Sequence, residues 1–234
     1  MRGKRRIKRN VIIAAIVVLV LIISLIVYMV IKDLKQEDIL REEINTLSSV
    51  DITEGRYNTD IKTTGDYAIV EKTIKEYLDE YAVTLQRVLK MMEDETLVNM
   101  LSASNYQSDG PEFTSSKEFL AKTKEDFNKD LNTLTEMTSS EAIMEKIEEK
   151  NLDSYYNNLY RELMLNGVAE EDFDASKNGL QEASDKINNI LDVETQVINL
   201  LLENNGKWSI ENDKIVFQDT NTLNQYNELI QKVS

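Results

Sequence analysis

The stretch GDYAIVEKTIKEYLDEYAVTLQRVLKMM, residues 65–92, decides the fold class. Val70, Ile74, Tyr77, Tyr81, Leu85, Val88 and Met92 recur at spacings of three and four, and Leu78, Ala82 and Leu89 widen the same face. That period places apolar side chains on one stripe of an α-helix and charged ones on the other. A strand would need alternation instead.

The same period continues downstream. DETLVNMLSASN reads as a short helical piece, and NYQSDGPEF reads as a turn beside Pro111, the one proline of the chain. Thr114, Ser115 or Ser116 is placed to cap SKEFLAKTKEDFNKDLNTLTEM, whose face is Leu120, Thr123, Phe127, Leu131 and Leu134. Ser139 or Ser140 is placed to cap EAIMEKIEEK. NLDSYYNNLYRELML sets Leu152, Tyr156, Leu159 and Leu163 on one side, and NGVAEEDFD reads as the next break. A last long helix follows along Leu180, Ile187, Val193, Val197 and Leu201, with Gly179 weakening it locally without dividing it.

One segment departs from the helical pattern. In NNGKWSIENDKIVFQD, Trp208 and Ile210 alternate with Ser209, and Ile215 and Phe217 flank Val216 across the polar E-N-D-K. Two short strands and a turn account for this. A lone hairpin is marginal in water, so it is expected to lie on the helices with Trp208 as its plug. Asp219 or Thr220 then caps a final helix through Leu223, Tyr226, Leu229, Ile230 and Val233.

Upstream, the chain opens MRGKRRIKRNVIIAAIVVLVLIISLIVYMVIKD. The run Val11–Ile31 holds 21 residues with only Ser24 and Tyr28 as mild interruptions. As a helix it would measure about 31 Å, enough to cross a hydrocarbon core, and it lacks the small-residue exit of a cleaved signal. It predicts an anchor. Six basic residues and no acidic one precede it, which predicts a cytoplasmic N-terminus and a C-terminal domain outside the plasma membrane. Asp33 to about Ser48 continues the helix, either as a free stalk or packed on the domain. Residues 49–64 read as a connector.

The expected architecture is therefore mainly α: a transmembrane helix followed by an extracytoplasmic helical bundle with one small C-terminal β-hairpin. By residue it divides into a basic tail at 1–10, a membrane helix at 11–31, a juxtamembrane helix and connector at 32–64, and a helical domain at 65–234 with the hairpin near 207–217.

Composition excludes much chemistry. The chain has 27 basic and 42 acidic side chains, a net −15; leaving out the six basic residues of the tail, 21 stand against 42, a net −21. Such a surface suits neither DNA nor RNA, and no nucleic-acid partner is expected. No histidine and no cysteine occur. This removes thiol nucleophiles, the commonest zinc ligands and any Ser-His-Asp triad. No G-x-S-x-G, S-x-x-K, G-x-x-x-x-G-K-[ST] or G-x-G-x-x-G is present. Glu93, Asp94 and Glu95 form one acidic cluster, and Glu170, Glu171, Asp172 and Asp174 another; both read as solvated faces, with carboxylate catalysis as the sharper alternative. Neither S-D-G at 108–110 nor E-D-F-D at 171–174 has the alternating ligands of an EF-hand. No metal, cofactor or catalytic residue is expected.

Tyr155, Tyr156 and Tyr160 lie in one helical segment, and with Trp208 they are the candidate partner contacts; core-rim packing is the plainer reading of the tyrosines. The layout resembles uncharacterised single-anchor membrane proteins of Gram-positive bacteria, carried by the basic start, the apolar run and the K-W-x-I-x-x-x-K-I-x-F hairpin. That resemblance implies no assigned activity; a lone anchor with a short basic tail, and the bulk of the chain outside, predicts a non-catalytic binding, scaffold or accessory protein of the cell envelope. Its partners would be the bilayer through residues 11–31 and a protein or envelope polymer. The alternatives are an envelope hydrolase using paired carboxylates and an accessory subunit of a membrane complex, approached through Ala14, Ala15 and Ser24.

Overall fold

The computed structural model describes residues 24, 29, 32–47, 50, 56–166 and 168–232. Nine helices and one hairpin occur among them. The first helix, α1, is seen over residues 32–47. Then come α2 (Asp66–Met92), α3 (Glu95–Val98), α4 (Ala103–Asp109), α5 (Thr114–Met137), α6 (Ser140–Glu148), α7 (Ser154–Leu165) and α8 (Glu170–Glu203). The strands β1 (Trp208–Glu211) and β2 (Lys214–Phe217) precede α9 (Thr220–Ile230).

No helix among the described residues is long and apolar enough to cross a membrane. The basic tail 1–10 lies outside those residues, and of the run 11–31 only Ser24 and Met29 fall among them. The expected transmembrane helix, bilayer contact and single-pass plasma-membrane topology are corrected accordingly. The physical reason is visible in every long element: α1, α2, α5 and α8 are amphipathic, with charged residues on their outer faces. What stands is a mainly α fold with a small antiparallel hairpin.

Three clusters of buried side chains hold it together. The first joins α1, α2, α6 and α7 through Leu40, Tyr67, Ile74, Met144, Ile147 and Tyr160. The second joins α3, α4, α5 and α8 through Met100, Tyr106, Phe113, Leu120, Val197 and Leu201, with the hairpin and α9 laid over it. The third, around Val88, Phe127, Leu131 and Leu134, lies between α2 and α5, with Leu180 and Ile187 of α8 against it. A fully buried Leu, Ile or Phe stabilises a fold by about 1.5–3 kcal/mol. The 34 residues of α8 extend about 51 Å and reach all three clusters, from Phe173 to Leu201.

Caps explain most boundaries. Asp94, Ser102, Ser139, Asp153 and Asp219 each accept from a backbone N–H in the first turn of the helix that follows. At α5 the expected Thr or Ser cap is not used. Phe113 occupies the N-cap with φ of 52°, and the Asp109 carboxylate, reaching over from α4, accepts from the amides of Ser115 and Ser116. The stretch NYQSD is helical rather than a turn, because Ser102 caps it and Tyr106 gives it a buried anchor. EEDFD likewise belongs to α8: the Asp172 carboxylate accepts from the Ala169 amide and starts that helix earlier than its break-like composition suggests.

The hairpin register is Trp208 opposite Phe217 and Ile210 opposite Ile215. Its two turn residues, Asn212 and Asp213, have φ of 51° and 58°, the left-handed pair that matches the twist of two-residue hairpins.

Candidate functional site

The most densely built polar site is the seam where α1 meets α2, α7 and the segment 56–64. It starts from amphipathic spacing in α1: Leu40 and Leu47 are buried, and Ile44 packs beside them. Glu43 lies on the same side of the helix and is buried with them, so it needs a partner.

The partner is Lys75, which has no exposed surface at all. Its ammonium lies 2.7 Å from Glu43 Oε1, 2.8 Å from Glu71 Oε1 and 2.6 Å from the Asp60 carbonyl. Three donors meet three acceptors, so the buried cation is fully satisfied. Lys62 adds a second cation to Glu43. Glu71, also fully buried, accepts from the amides of Lys62 and Thr63 and from the Thr63 hydroxyl. The segment 56–64 is thereby folded onto α2, where Arg56 also pairs with Asp79 and Lys75 donates to the Asp60 carbonyl.

Burial alone would push both carboxyls up, but the hydrogen bonds of Lys62 and Lys75 to Glu43, and of Lys75 and Thr63 to Glu71, outweigh it and hold each below the usual carboxylate range. Burial pulls Lys75 down, and the bonds to Glu43 and Glu71 more than reverse that. All three stay charged at neutral pH.

The rim of the seam is wetter. Arg41 makes a bidentate pair with Glu162 of α7, 3.0 Å at each nitrogen, and also holds Glu37. The Tyr155 hydroxyl donates to Glu37, which lowers that carboxyl, and Gln36 accepts from the Thr64 amide at 2.7 Å. Tyr67, Tyr155 and Tyr156 form an edge-to-face cluster, with the Tyr67 and Tyr155 hydroxyls 3.2 Å apart.

The four aromatic residues singled out from sequence are thus distributed as follows. Tyr155 is 45% exposed and sits over α1; Tyr156 is half-buried beside it. Tyr160 is fully buried in the first cluster, and no protein group hydrogen-bonds its hydroxyl. Trp208 lies far along the chain from them in the second cluster, stacked on Phe113 at 5.9 Å with its indole N–H donating to the Leu201 carbonyl at 2.8 Å. Three of the four gather at one cluster; Trp208 belongs to another.

Sequence reading did not single out Glu43, Glu71 or Lys75. A signal was present: Glu71 and Lys75 stand at i and i+4 in EKTIK, on the flank of the apolar stripe.

Comparison with protein-family models, with curated proteins and with solved structures finds no match. The resemblance to single-anchor Gram-positive membrane proteins is corrected by that result and by the absence of a spanning helix among the described residues. The envelope-protein reading, with its protein or polymer partner, falls with it. So does the membrane-complex subunit. The carboxylate hydrolase is corrected on geometry. Glu93, Asp94 and Glu95 are exposed, as are Glu170, Glu171, Asp172 and Asp174, and no cluster of metal-ligating side chains occurs among the described residues. Asp94 and Asp172 work as helix-start acceptors instead.

A groove of about 630 Å³ runs between α2 and α5 and is lined by Arg87, Lys90, Lys129, Glu80, Asp126 and Asp130 among others. Cations and anions alternate along it, and Arg87 is already bound in bidentate fashion to Asp130. No carboxyl along it is held in an apolar setting of the kind acid–base catalysis uses.

Proposed function

We propose that this chain is a non-catalytic structural module whose work is to hold α1 in one fixed direction on a helical domain. The observation that carries this reading is Lys75. A lysine with no exposed surface, shared between α1, α2 and the carbonyl of Asp60, costs desolvation that only a fully made network offsets. Such a network is weak support for stability and better support for a unique arrangement: any other angle of α1 would break the Glu43–Lys75 pair and leave the buried ammonium one acceptor short. Tyr155, Arg41 and Gln36 repeat the same logic around the rim, each tying α1 to the domain.

The test uses the lack of cysteine. Asp38→Cys and Lys122→Cys, both at exposed positions, give a clean pair for spin labels on α1 and α5. Pulsed dipolar spectroscopy is expected to return one narrow distance distribution, and the same pair with Lys75→Met a broad one. A broad distribution with Lys75 in place would sink the reading. A narrow one after Lys75→Met would move the holding role to the rim.

A further inference from the structure

Glu194 lies in the apolar half of α8, flanked by Val193 and Val197 of the second cluster, and is only 7% exposed. Its Oε2 atom is buried with no hydrogen-bond partner among the described residues. Elsewhere in the described structure a buried carboxylate is met by a lysine, an arginine or amides, as at Glu43, Asp130 and Glu71; here none is in place.

What faces it is aromatic. Its neighbours Val193 and Val197 pack in one cluster with Tyr106 of α4 and Tyr226 of α9, and a charge on Glu194 disfavours ionisation of the Tyr106 phenol, after burial and Tyr226. The Tyr106 hydroxyl in turn meets the Tyr226 hydroxyl of α9 at 3.2 Å. The carboxyl therefore borders the link between α4 and α9. The charged groups of the surrounding elements are engaged elsewhere. Asp109 of α4 binds the Ser115 and Ser116 amides, and Lys124 of α5 binds Asp192. Lys207 before β1 reaches Asn204, Asp219 caps α9, and Glu228 of α9 is exposed.

We propose that Glu194 makes the hairpin and α9 a pH-responsive cap, closed while the carboxyl is protonated and loosened once it ionises. An ionised carboxylate in this setting has two ways to find donors. It either draws the Tyr106 hydroxyl away from Tyr226 or admits water between α8 and α9. Both weaken the same contact. Tyr106 keeps its proton throughout, so it is a donor at every pH concerned.

Burial pushes the Glu194 carboxyl up to about 7, from an ordinary 4.5. The folded state therefore holds a proton that the opened state has lost. The cap's stability is full below about 4.5, falls as pH rises and levels off above about 7.

Amide hydrogen exchange of the full chain tests this. Corrected for the intrinsic effect of pH on exchange, the opening of hairpin and α9 amides is expected to rise by up to about tenfold per pH unit on the way to neutrality. Glu194→Gln, which keeps the shape, should flatten that rise. Tyr226→Phe, which cuts the phenol link and spares the carboxyl, should loosen the cap at every pH and keep the rise. A flat profile in the unaltered chain, or a rise surviving Glu194→Gln, would overturn the proposal. The carboxyl carbon of Glu194, followed by NMR in the unaltered chain, gives a reading independent of any variant: a midpoint near 4.5 would also overturn it.

Discussion

The seam at α1 and the cap at α9 each bury carboxyl groups against the long helices, and they meet the same electrostatic problem in opposite ways. At the seam, Glu43 and Glu71 share the ammonium of Lys75 and stay ionised. At the cap, Glu194 has apolar neighbours and a phenol pair, and burial favours its protonated form. The first arrangement fixes a geometry and gives way in acid. The second tolerates acid and gives way toward the alkaline side. Depth of burial is similar in both; the number of donors within reach decides the response.

That contrast breaks most severely at Lys75. Lys75→Met leaves Glu71 buried without a cation and Glu43 with Lys62 alone, and should cost about 3–5 kcal/mol in denaturant unfolding. Glu43→Gln with Lys75→Met should recover part of this, since it removes one of the two buried carboxylates. On the other side, Trp208→Ala takes the plug from the hairpin, losing the Phe113 stack and the bond to Leu201, and should cost about 3 kcal/mol. A mutation at one site is expected to add to one at the other, because they share no partner.

Acid sharpens the comparison without a mutation. Glu43 and Glu71 are held low, so their contribution is complete above the ordinary 4.5 and fades as pH falls through their lower folded values. The label distance between α1 and α5 should broaden there while the hairpin and α9 amides stay protected. If both regions loosen together in acid, they are one cooperative unit. The smallest effect is expected at the rim: Arg41→Ala removes a pair with a largely exposed Glu162 and should shift the melting temperature little, and still less at high salt.

The type of nearly every element was legible because 3.6-residue and two-residue periods are properties of the chain itself. The α2 stripe, the Trp208–Phe217 hairpin and the Ser139 cap all follow from spacing. The seam was not. Lys75 and Glu71 did not stand out because nothing local says that residues 56–64 fold across that side of α2. Glu194 was equally silent: its isolation is a property of what α4 and α9 bring to it, and those contacts span many tens of positions. NYQSDG misled in the other direction, since its polar composition and the neighbouring proline outweighed the buried Tyr106 that makes it a helix.

Midway between seam and cap, α5 and α8 carry one more polar contact. The Asn128 and Asn188 amides bond each other in both directions, at 3.2 and 2.9 Å. Each side chain is donor and acceptor to the other, so a change at one takes the donor from the other's carbonyl oxygen, while each amide keeps a second acceptor in the Lys124 carbonyl or the Ser184 hydroxyl. Sixty positions apart in the chain, the two should drift through evolution as a single character, exchanged together or left alone.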